Sequence, residues 1–148
     1  MSSLPSEQAA IVAVIDPDVT AASTVLSAYI PVKNFHSFMA VIMAGTLGTS
    51  ATLDAKVRQA TDASGTGVKD ITGKAITQLT QAGTDSDKQA VINVLPEELD
   101  VDGGFDHICI SLTVAVATSD VGAVLLGFNP RRGPASDNDV STVDEIVS

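Results

Sequence analysis

Two histidines, one cysteine and one run of carboxylates hold whatever chemistry this sequence offers. His107 and Cys109 stand two positions apart, so on an extended chain they share a face, the beginning of a metal site or of a thiol and imidazole pair. Zinc needs three or four ligands, however, and no Cys-x-x-Cys or His-x-x-x-His spacing supplies the others, while His36 stands alone among apolar residues. Both histidines are therefore expected to be structural, and Cys109 to be a small core hydrophobe. Asp100, Asp102 and Asp106, with Gly103 and Gly104 among them, alternate as oxygen ligands of a hard cation do. A calcium loop also needs further ligands and a closing Glu, which are missing, so a solvated turn is the expectation. Gly65 and Gly67 are followed by no Lys-Ser or Lys-Thr and make no phosphate loop. No nucleophile, base and orienting acid come together, so no catalytic residue, metal ligand or cofactor is expected.

The element that would carry His107 and Cys109 is the stretch Asp106 to Ala117. Ile108, Ile110, Leu112, Val114 and Val116 occupy alternate positions, and a period of two puts all five on one face of a strand. That branched face must meet a core, and the rest of the chain must supply it.

The remaining sequence reads as short strands between turns. Ile11 to Ile15 is closed by the turn signal Asp16-Pro17-Asp18, and Thr24 to Ile30 by Pro31. Phe35 to Met43 is the densest apolar block; its length suits a buried strand, and a short helix fits the periodicity as well. Thr52 to Ala60 alternates Leu53, Ala55 and Val57 with Asp54, Lys56 and Arg58, an amphipathic strand. Brief strands are expected at Val68 to Ile71, Ala75 to Leu79 and Lys88 to Leu95. An acidic connection, Glu97 to Gly104, leads into the central strand. Ser119-Asp120 reads as a tight turn that returns Val121 to Phe128 as its hairpin mate.

Residues 1–9 form an expected N-terminal arm, 10–129 one β-sandwich domain, and 130–148 a C-terminal tail with a short helical turn around Val143 to Val147. The sum is all-β: seven to nine short antiparallel strands, the pattern of a sandwich or barrel.

Composition narrows the partners. The chain has 148 residues, 18 acidic against 8 basic for a net charge of −10, and 3% aromatics with no Trp. Such a field repels phosphate backbones, so direct nucleic-acid binding is not expected. Aromatic platforms for stacking bases or sugars are scarce. One cysteine excludes an internal disulfide framework and suits a reducing compartment. Neither a signal-peptide pattern nor a run near the ~18 apolar residues of a membrane span is present, so synthesis in a cytosol and no membrane partner are expected.

Several pieces, taken together, resemble a family of small virion proteins of tailed bacteriophages, encoded near the major capsid protein. They are Thr52-Leu-Asp-Ala-Lys-Val-Arg-Gln, the Asp/Ser/Gly loop after it, Val68-Lys-Asp-Ile-Thr-Gly-Lys-Ala-Ile-Thr-Gln-Leu-Thr, and Val121 to Pro134. The resemblance spans about residues 35 to 134, and the acidic loop Glu97 to Gly104 and the acidic tail depart from it. It implies a jelly-roll-like sandwich that decorates or cements the capsid exterior across adjacent major capsid protein subunits, commonly as a homotrimer. Arg131 and Arg132, the only adjacent basic pair, are the expected partner-binding residues, since guanidinium groups engage carboxylates bidentately; a solvated tail explains them equally well. A tail or head-to-tail connector protein, and a carbohydrate-binding β-sandwich that would rely on Tyr29, are the competing readings.

Overall fold

The alternating stretch after Asp106 forms an interior strand of one of two sheets. The structure, a computed structural model, describes residues 3–148; Met1 and Ser2 of the expected arm lie outside the described residues. Strand β9 (His107–Ala115) buries Ile108, Ile110 and Leu112 completely and Val114 almost so. It lies between β5 (Thr52–Ala60) on one side and β2 (Ser23–Leu26) with β3 (Ile30–Pro31) on the other. Strand β6 (Lys69–Ala75) and the two-residue β7 (Leu79–Thr80) extend the sheet beyond β5. The second sheet runs β1 (Ala9–Thr20), β10 (Ser119–Pro130), β4 (Phe35–Ala44), β8 (Gln89–Val94).

The pairing has one rule. First strand pairs with last, the second and third with the ninth, the fourth with the eighth, and the fifth with the sixth, all antiparallel. This is a long hairpin wound into two facing sheets, the jelly roll. The expected β-sandwich is thus the observed fold, with ten strand segments because β3 and β7 are only two residues long. Between the sheets lie Phe35, Phe38, Ile42 and Leu125 from one side and Leu53, Val57, Ile108, Ile110 and Leu112 from the other. Phe35 and Phe38 meet edge to face, centroids 5.8 Å apart.

Several local expectations are corrected. Val121 to Phe128 is not the hairpin mate of β9; it belongs to β10 in the opposite sheet, paired with β1 and β4. Ser119-Asp120 is the start of that strand, and the turn lies just before it, where Val116 adopts φ 75° and leaves the aliphatic row at 70% exposure. That left-handed residue swings the chain from one sheet to the other. Asp16-Pro17-Asp18 does not end β1, which continues to Thr20 through a register shift between Ile15 and Asp18. Pro17 is tolerated because β1 is an edge strand, where a missing N–H breaks no ladder. Val143 to Val147 forms no helical turn.

Chain segments on either side of the sandwich domain meet. The short helix α1 (Pro5–Gln8) packs against a 3-10 turn at Ala135–Asn138. Ala135 is fully buried, and the free edge of β1 is capped where Ile11 donates to Asp139 at 2.8 Å and accepts from Val140 at 2.9 Å. At Ile11 that edge is therefore blocked to strand addition.

Candidate interaction surfaces

The residues singled out for chemistry do not assemble into a reactive site. His107 Nδ1 lies 2.7 Å from Asp106 Oδ1, which is the geometry of an oriented base. Cys109 on the same strand face is fully buried beside the Tyr29 hydroxyl, and burial pushes its thiol up. A reactive cysteine needs the opposite, a lowered pKa and access. His36 is exposed, on β4 in the opposite sheet.

The acidic loop is a braced turn. Asp100 accepts from Lys69 Nζ at 2.6 Å and from the Gly103 N–H at 3.0 Å, and these contacts hold its carboxyl below the usual range. Its own N–H donates to the buried Gln59 side chain at 2.7 Å, which donates in turn to Asp70 O at 3.1 Å. Asp106 is engaged with His107 instead, and among the described residues no three His, Cys, Asp or Glu side chains gather as metal ligands do. Gly65 at φ 82° serves the next loop, where the Tyr29 ring lies within 2.6 Å of where a Cβ would stand.

Charge pairing separates two classes of cation. Lys56 and Arg58 both hold Asp70, at 3.0 and 2.8 Å, Lys69 holds Asp100, Lys74 holds Glu98 and Lys88 holds Asp85. The other three of the eight basic residues are Lys33, Arg131 and Arg132. Among the described residues no carboxylate oxygen lies within 4.0 Å of any of them. All three line one notch of about 550 Å³ with Asn34, Asp137 and Asn138. The fold builds this notch where the end of β10 passes the start of β4: the Arg131 N–H donates to Asn34 O at 2.9 Å and its Nε to Phe35 O at 3.3 Å. The expected pair Arg131 and Arg132 is therefore joined by Lys33, a residue sequence reasoning did not single out.

A second surface is the outer face of the β1-β10-β4-β8 sheet. Register places Val14, Val124, Val41 and Val91 in one row across all four strands, and Ile11, Leu126 and Met39 in the next across three. Met43 and Val91 are each 53% exposed. Beside them the missing side chain of Gly122 lets Pro17 come within 2.9 Å of where its Cβ would be, and a cleft of about 590 Å³ is lined by Val14, Met43, Val124 and Gly122. Asp16, Asp87 and Asp120 rim this cleft. An antiparallel sheet with one face in the core ordinarily presents a polar outer face, and this one does not.

No family model matches this sequence, and no curated protein matches it. Among solved structures, similar chains come from Broad Bean Stain Virus (TM-score 0.47, 11% identity, covering 90% of this chain and 96% of that one) and from infectious bursal disease virus Gx strain (0.45, 13%, 86% and 33%). A Cowpea Mosaic Virus empty virus-like particle gives 0.43 and 8% over 90% and 88%. Similarity at this level carries no function over. Among the described residues no helix is long and apolar enough to cross a membrane.

Proposed function

We propose that this protein is a non-enzymatic virion structural protein that decorates the exterior of a tailed-phage capsid and cements it by binding across adjacent major capsid protein subunits. The observation that carries this reading is the apolar outer face of the β1-β10-β4-β8 sheet, an adhesive surface on a rigid jelly roll whose Cys109 is buried and whose His107 is paired with Asp106. Jelly rolls serve in viral shells, and also in lectins and cupins, so fold alone is an analogy. The face and the notch provide the physical argument: apolar area for affinity and unpaired guanidinium groups for orientation. Arg131 and Arg132 engage carboxylates of the shell subunit in this reading.

The test is shell stability. Undecorated heads of the virus that encodes this chain, loaded with the purified protein, should release DNA at a higher temperature than bare heads. An unchanged release temperature at saturating protein would contradict the cementing role. The phage-family resemblance also carries the expectation of a homotrimer, which a mass measurement decides.

A further inference from the structure

We infer that the outer face of the β1-β10-β4-β8 sheet is also a self-recognition surface, on which a second copy of this chain packs face to face about a two-fold axis running across the strands. Charge of opposite sign is laid out at the two ends of β10. Asp120 stands near one end of this strand, with Asp16, Asp18 and Asp87 gathered around it, all exposed and, among the described residues, none with a cation within 4.0 Å. Beyond the other end stand Lys33, Arg131 and Arg132, which with Asp137 line a notch of net positive charge; among the described residues no carboxylate oxygen lies within 4.0 Å of these three cations. The two ends are about 36 Å apart at roughly 3.3 Å per residue. Between them the outward side chains Val124, Leu126 and Phe128 of β10 run beside Met39, Val41 and Met43 of β4.

Such a strip is complementary to itself in only one orientation. A two-fold axis parallel to the strands stacks acid on acid. An axis perpendicular to them, in the plane between the sheets, brings each acidic end onto the other copy's basic end, with the valine rows meeting at the centre. The contact is isologous, as closed dimers require. Four strands about 4.8 Å apart give a footprint of roughly 600 Å² per copy, so about 1,200 Å² for the pair, the lower edge of stable interfaces. Like-charge contact at the ends is repulsive and fixes the orientation. Where the decorating role holds, shell and second copy compete for one face.

Light scattering on the full chain across a concentration series tests the inference. The expected mass is twice 15.1 kDa, falling to one chain in Val124→Asp. The double variant Arg131→Glu/Arg132→Glu should weaken association by at least about tenfold, and adding Asp16→Lys/Asp120→Lys to it should restore most of that loss. A misfolded variant cannot imitate this rescue. A monomer or a trimer of the wild-type chain, or reversed charges that cannot be rescued, would overturn the two-fold pair. Neither result touches the cementing role, which the heads assay decides separately.

Discussion

The Ser27 hydroxyl oxygen lies 2.8 Å from the backbone nitrogen of Ile110 and accepts its hydrogen, while the Ser27 N–H donates to Ile110 O at 3.0 Å. Register pairing of β2 with β9 stops at Leu26 and Ser111, and β3 resumes it at Ile30 and Ile108. One buried serine therefore bridges the break with its side chain, beside an interior strand of the β2-β9-β5-β6 sheet. Ser27→Ala leaves the Ile110 amide buried without an acceptor and should cost about 1–3 kcal/mol, read as a lower urea midpoint at unchanged slope.

Val116 bears a different kind of strain. A β-branched residue at φ 75°, 70% exposed, pays for its left-handed backbone without recovering burial. Its neighbour Ser119 already secures the corner, accepting from the Gly48 N–H at 3.1 Å. Val116→Asn, which tolerates this conformation, should raise stability by about 1 kcal/mol; a loss in thermal unfolding would refute the account of the corner.

Acid should unfold the protein through its paired carboxylates. Lys56 and then Arg58 hold Asp70 below the usual carboxylate range, Lys74 does so for Glu98, Lys69 for Asp100, the Thr80 N–H and then Lys88 for Asp85, and Thr66 for Asp62. Each pKa is lower folded than unfolded, so each contribution is complete above the ordinary values near ~4 and is lost as pH falls through the lowered ones. Each pair keeps at least one partner partly in solvent and is individually weak. Urea midpoints should stay level from about pH 7 to 5 and fall below about pH 4, with a shallower fall in Asp70→Asn.

Cys109 should be inert. It is fully buried, with its thiol pushed up by that burial, so a thiol reagent such as DTNB should react with the denatured chain and not with the native one at neutral pH. Fast native reaction would reopen the thiol and imidazole reading.

Much of the fold was legible because period-two patterning is a local property. Thr52–Ala60 has the bounds its alternation predicts, and Ile108 to Val114 face the core as their spacing requires. What failed was partnership: nothing local says that β10 crosses to the opposite sheet, since the deciding feature is one left-handed residue at 116. The notch was half legible, as Arg131 and Arg132 are adjacent whereas Lys33 joins them only through the meeting of β4 and β10. The outer face had its signal in Phe35 to Met43 and Val121 to Phe128, which are apolar in both phases of the alternation. That pattern reads as burial on both sides, and here one of those sides faces outward.

Adhesion to a shell can be read by co-sedimentation with undecorated heads of the virus that encodes the chain. The account predicts saturable binding of the wild-type protein, with affinity reduced at least about tenfold by Arg131→Glu/Arg132→Glu and abolished by Val124→Asp. Heads that sediment without the protein at saturating concentration would contradict it.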